Sequence, residues 1–137
     1  MEILSQGDML FNKELGFYEK EVDVNGINIG ISIHATPENI DDRLVFGNKV
    51  LNWYKENEQN VKQYAASQLL EIKNKEWTDK DEKEITGEEF VNLMSIDDIS
   101  ISDQTVDFYF NAGGMFTDHS IIVRTRGENF DFIQAIV

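Results

Sequence analysis

No cysteine occurs in this chain of 137 residues. That absence excludes disulfides, thiolate zinc sites, iron–sulfur ligation and a cysteine nucleophile, and it fits a reducing cytosol. Histidine is scarce too. His34 and His119 lie far apart in sequence, with none of the short spacings of known zinc sites. Long apolar runs are missing, so no segment reads as a membrane span. The opening stretch, MEILSQGDML, has neither the basic residues nor the apolar run of a secretory signal. The expectation is a soluble, cytoplasmic protein forming one domain over residues 1–137. A chain of this length buries roughly two-thirds of its unfolded surface, so it needs no covalent or metal staple.

Positive charge is also in short supply. Twelve Lys and Arg face 26 Asp and Glu, giving a net charge of −14 and a pI near 4.3. Such a surface repels phosphate backbones and anionic lipids, which argues against nucleic-acid and membrane partners. A basic protein partner is the positive form of the same argument. The plainer reading is that acidity keeps the chain soluble and recruits nothing.

What is present is mostly periodicity. Asn25-Gly26, the dipeptide of a two-residue hairpin turn, separates two strand-like runs. Behind it Ile27, Ile29, Ile31 and Ile33 alternate with Asn28, Gly30, Ser32 and His34, which predicts four isoleucines on one sheet face. A shorter strand is expected around residues 9–12. Thr36-Pro37-Glu38 then reads as a helix N-terminus, with the only proline at the first helical position.

Ile40, Leu44, Gly47, Leu51 and Tyr54 follow at helical spacing, with Gly47 placed for a close neighbour. KENEQN, residues 55–60, holds no apolar side chain and predicts a break before a second helix carrying Val61, Tyr64, Ala65, Leu69 and Ile72. Trp53, Tyr54 and Tyr64 read as core residues rather than a cofactor platform. Thr86 to Glu89 has capping-box spacing for a short third helix. Four strands are expected after it, around Ile99, Val106 to Phe110, Ile121 with Val123, and the final FDFIQAIV. The predicted class is α+β: a mostly antiparallel sheet of N-terminal hairpin strands and four C-terminal meander strands, with two to three helices on one face.

Tests for chemistry return little. A calcium loop begun at Asp79 would place Glu84 where glycine is needed and Phe90 where a bidentate glutamate belongs. NAGGMF lacks the glycine spacing and the Lys-Ser/Thr of a phosphate loop. Asp118, His119 and Ser120 suggest a triad, but consecutive residues at a strand start point to alternate faces. A strand over residues 118–126 would put His119 with Ile121 and Val123 at the core rim, as a packing residue bonded to a loop carbonyl. No metal, cofactor or catalytic residue is assigned, and His119 is the one catalytic candidate.

Three segments carry a likeness. GMFTDHSIIV resembles the glycine- and phenylalanine-containing turn, histidine and apolar strand of the bacterial domain of unknown function family 2262. NKEW, residues 74–77, is similar to that family's helix end, and GEEFVNLMSIDDISI to its passage from short helix to strand. The resemblance covers about residues 16–137 and implies a bacterial cytosolic α+β domain. It brings no activity, substrate, cofactor or site residue with it.

The leading expectation is a non-enzymatic, acidic protein-interaction module of immunity or regulatory type. The alternative is a small hydrolase-like enzyme with its site near the turn between Gly113 and Ser120 and His119 as general base. The third reading is a structural domain whose partner is a second copy of the chain.

Overall fold

The computed structural model describes residues 4, 5, 7 and 9–137. Strands β1 (Leu10–Asn12), β2 (Phe17–Val24) and β3 (Ile27–His34) open the chain. Asn25 and Gly26 both take positive φ, 53° and 87°, as a type I′ turn requires. The hairpin pairs Val24 with Ile27 and runs to Phe17 with His34. Ile29, Ile31 and Ile33 are buried as the alternation predicts, while Ile27, beside the turn, stays 41% exposed.

Helix α1 (Ile40–Glu76) corrects the sequence reading twice. Its N-cap is Asn39, not Thr36. The Thr36 N–H donates to Asn39 Oδ1 (2.7 Å) and the Asn39 N–H to the Thr36 carbonyl (3.1 Å). The asparagine side chain thus closes a turn ahead of the helix and caps nothing within it. The second correction is continuity. Thirty-seven residues form one helix, about 55 Å long at 1.5 Å per residue.

The polar run at residues 55–60 is not a break but a change of neighbour. Here the helix passes the tip of the hairpin, where Asn25 Nδ2 donates to Glu58 Oε2 (3.1 Å) and to the Lys55 carbonyl (3.3 Å). Glu58 also accepts from Tyr54 Oη (3.4 Å) and pairs with Lys62 (3.6 Å). A glutamate therefore fills the core-side helical position between Tyr54 and Val61, and the missing apolar residue marks a polar contact.

Helix α2 (Gly87–Leu93) starts at Thr86 with the predicted capping box: Thr86 Oγ1 accepts from the Glu89 N–H (3.1 Å), and Glu89 Oε1 from the Thr86 N–H (3.0 Å). Strands β4 (Ser95–Ile101), β5 (Thr105–Asn111), β6 (Ile121–Arg126) and β7 (Asp131–Ile136) complete a seven-stranded sheet in sequential order. Every neighbouring pair is antiparallel except β3 and β4, which run parallel with Gly30 opposite Asp98. The chain makes that crossover through both helices, as a parallel pair demands.

Helix α1 packs on one face of the sheet, and α2 packs against α1. Gly47 lets α1 approach closely: a Cβ there would lie 3.0 Å from Leu4 Cδ1 and 3.2 Å from Ile33 Cδ1. Tyr54 stacks on Phe108 at 5.1 Å, and Trp53 on Phe130 at 4.8 Å. Tyr54, Phe90, Phe108, Phe110 and Phe116 are fully buried, and each such ring contributes about 2–3 kcal/mol of burial energy. The α+β, mostly antiparallel class is as expected, with two helices and one parallel seam.

Candidate functional site

Because side chains alternate along a strand, burying one face of the sheet turns the other outward. On β2 the outward residues are Phe17, Glu19, Glu21 and Asp23. On β3 they are Asn28, Gly30, Ser32 and His34, and on β4 Asp98 and Ser100, all placed by register. Four carboxylates therefore face outward, three from β2 and one from β4, with β3 between them. Asn28 Nδ2 donates to Glu21 Oε2 (3.0 Å).

Gly30 has no side chain to fill its place in this row. The Asp98 carboxyl leans across the gap, so that a Cβ on Gly30 would collide with Asp98 Oδ1. The result is an open hollow of about 550 Å³, bordered by Leu10, Glu19, Lys20, Glu21, Ser32 and Asp98 over a glycine floor. Partial burial, and then the neighbouring Asp97 carboxylate, raise the pKa of Asp98 above the usual aspartate value. Such a hollow can accept hydrogen bonds from a guanidinium or ammonium group, and it pairs no nucleophile with a base.

The other half of the same face differs in character. Arg124 donates through Nε and Nη2 to both oxygens of Asp107 (2.7 and 3.0 Å), which offsets its charge. Tyr109 and Ile122 stand opposite one another beside that pair.

The turn after β5 is the segment that most resembles an active site. Asn111 Oδ1 accepts from the Gly113 N–H (2.8 Å), and Gly113 and Gly114 take φ of 59° and 86°. Gly113 lies so near the end of α2 that a Cβ would be 2.5 Å from the Leu93 carbonyl oxygen. Met115 and Phe116 fold back into the core, as anticipated.

Strand β6 starts at Ile121, not at residue 118, so the parity argument does not reach His119. Its side chain is exposed rather than set at the core rim. Its backbone N–H donates to the Phe116 carbonyl (3.1 Å), and its ring stands edge-on to Trp77 at 5.5 Å. Asp118 and Ser120 are exposed as well, and the Asp118 carboxylate accepts from Thr117 Oγ1 (3.3 Å). The three residues are neighbours in sequence without forming a bonded array.

A hollow of about 390 Å³ does lie beside this turn, between Gly113, Gly114, Met115 and the end of α1. Its wall includes Lys73 and Trp77 but not His119. Lys73 is buried to 4% exposure, and its ammonium donates to the Trp77 carbonyl (3.1 Å) and Thr78 Oγ1 (2.7 Å). A cation among the terminal carbonyls of a helix is well placed for the helix dipole. Sequence reasoning missed this residue, although Lys73 continues the four-residue spacing of Ala65 and Leu69.

The acidic run at residues 79–84 forms an exposed connection. Asn74 anchors its far end by exchanging two hydrogen bonds with the Ile85 backbone, both 3.0 Å. His34 packs against Phe17 at 5.5 Å. Among the described residues no three His, Asp or Glu side chains are grouped to hold a metal ion.

These features define an α+β domain whose sheet carries helix α1 on one face and, on the β2–β4 half of the other, a group of carboxylates. The family model described as an uncharacterized protein conserved in bacteria (DUF2262) matches residues 4–134, and the chain belongs to that family. No curated protein and no solved structure matches the chain. Among the described residues, no helix is long and apolar enough to cross a membrane.

Proposed function

We propose that this domain is a non-enzymatic protein-interaction module that engages a basic partner through the outward face of β2, β3 and β4. The observation that carries the reading is the face itself, where Glu19, Glu21, Asp23 and Asp98 face outward and Lys20 is the only cation of β2, β3 and β4. A −14 chain attracts basic partners from a distance, and the glycine-floored hollow gives an arriving arginine or lysine a place to sit. An immunity-type or regulatory role, in which the domain masks a basic surface, is the concrete form of this function.

The test is titration of isotope-labelled protein with a short arginine-rich peptide, followed by amide chemical shifts at low salt. Shifts should concentrate on β2 to β4 and shrink as salt rises, because the Debye length falls from about 30 Å at 0.01 M to about 8 Å at 0.15 M. Glu19→Lys with Glu21→Lys should abolish them. Shifts spread equally over the residue 79–84 connection and α1 would sink the idea.

The hydrolase-like alternative, near the turn between Gly113 and Ser120, draws support from the hollow beside Lys73 and Trp77. His119 stands outside that hollow, which weakens its role as general base. If a small ligand found by thermal-shift screening loses affinity on His119→Ala while the fold is unchanged, this alternative replaces the binding reading.

A further inference from the structure

The β2–β3 turn holds the one Asn-Gly pair in the chain, and that pair carries a chemistry of its own. An asparagine Cγ is open to attack by the backbone nitrogen of the next residue, and a glycine there, lacking Cβ, leaves the approach unhindered. The Gly26 nitrogen bonds to Asn25 Cγ and gives up its proton. The Cγ–Nδ2 bond breaks, and Nδ2 leaves with that proton as ammonia. Water then adds across one of the two imide C–N bonds, leaving aspartate or isoaspartate at residue 25. No oxidant, metal or second protein enters the balance.

Asn25 and Gly26 are exposed, so water reaches the turn, yet three features of the fold oppose ring closure. The first is the backbone. At the first central position of a type I′ turn ψ is about +30°, which sets the Gly26 nitrogen across the Cα–C bond from Cβ. The imide ring needs the two on the same side, so the turn that pairs Val24 with Ile27 must open first. The second is helix α1, which holds Asn25 Nδ2 at the Glu58 carboxylate (3.1 Å) and the Lys55 carbonyl (3.3 Å). The third is Asp23, whose Oδ1 accepts from the Gly26 N–H (3.2 Å). A carboxylate beside that N–H disfavours loss of its proton.

We infer that Asn25 is a self-modification site, shut while the hairpin tip is seated on α1 and converted to aspartate or isoaspartate once the tip opens. The step runs one way. A carboxylate at residue 25 has no N–H for Glu58 or for the Lys55 carbonyl, and it stands beside the Glu58 charge. Isoaspartate also lengthens the backbone of a turn whose length sets the hairpin register. A tip that has reacted therefore does not reseat, and the chain keeps a record of its opening.

Peptide mapping by mass spectrometry tests this on the full chain, held folded or in urea at mildly alkaline pH. Conversion at residue 25 should be slower in the folded chain by about tenfold or more, because the turn and two hydrogen bonds must first be given up. Glu58→Ala releases the amide and should speed conversion of the folded chain severalfold. Glu58→Gln keeps an acceptor and should stay near the parent rate. Thr86→Ala weakens the distant helix α2 and should leave the rate unchanged, which separates opening of the tip from global unfolding. Asn25→Asp, standing for the product, should raise hydrogen exchange at Val24 and Ile27 and leave β5 and β6 as they were. Equal rates folded and in urea overturn the inference, as does a Glu58→Ala chain no faster than parent or an equal rise in Thr86→Ala. Parent-like exchange in Asn25→Asp overturns the one-way step.

Discussion

Thr125 offers a sharp test of the packing argument. It lies on the core side of β6, opposite Val106, with 0% exposure, and its hydroxyl oxygen has no hydrogen-bond partner. In the unfolded chain that hydroxyl is hydrated. On folding it loses water and gains nothing, at a cost of about 1–3 kcal/mol. Thr125→Val replaces the hydroxyl with a methyl of nearly the same shape on a residue equally suited to a strand. The variant should be more stable by about 1–2 kcal/mol, raising Tm by roughly 3–4 °C per kcal/mol for a chain of this length.

Urea unfolding should show a higher midpoint with an unchanged m-value, since the surface exposed on unfolding is the same. Thr125→Ser separates the two halves of the argument. It keeps the orphan hydroxyl, removes the packed methyl, and should lose about 1 kcal/mol. If Thr125→Val instead destabilises by about 1 kcal/mol or more, the hydroxyl is bonded in solution and the reasoning is refuted.

Three further outcomes follow from the structure. Thr86→Ala should cost about 1 kcal/mol in chemical denaturation, because a helix of seven residues depends heavily on its capping box. Gly113→Ala should cost more, about 2 kcal/mol or above, since it combines positive φ with a Cβ 2.5 Å from the Leu93 carbonyl; a loss below half that would show that the turn gives way. Asp98 has a raised folded pKa, so the folded state binds its proton more readily than the unfolded chain. Stability from this group is therefore present at low pH and lost as pH rises through the folded pKa. Asp98→Asn should thus be more stable than the parent at pH 7, with the gap closing below about pH 4, the unfolded value; a gap that widens on acidification contradicts the assignment.

Local chemistry was legible in the sequence and distant neighbours were not. Asn25-Gly26 fixed the hairpin, and Thr86 with Glu89 fixed the start of α2, because each needs only residues a few positions away. The alternation in β3 identified Asn28, Gly30, Ser32 and His34 as outward. That Asp98 lies beside Gly30 depends on the parallel register of β3 with β4, which period-two patterning cannot supply. Residues 55–60 read as a break because a polar run looks the same in a loop and in a helix passing a hairpin tip. His119 was misplaced by a strand start three residues too early, which is enough to make its parity meaningless. Lys73 was missed because a lysine on an apolar stripe is ordinarily assigned to solvent.

The parallel seam has a consequence for how the chain finds its fold. Strands β1 to β3 and β4 to β7 are each wound from neighbours in sequence, so both pieces can form by closing short loops. Only the pairing of Gly30 with Asp98 and the residues after them must close across both helices. Helix α1 bridges the pieces, touching the first at Asn25 and Ile33 and the second through Trp53 and Tyr64. The slow step of folding is therefore expected to be the joining of the two sheet pieces along the helical brace. Substitutions along that brace should alter the folding rate more than equal losses of stability within either sheet.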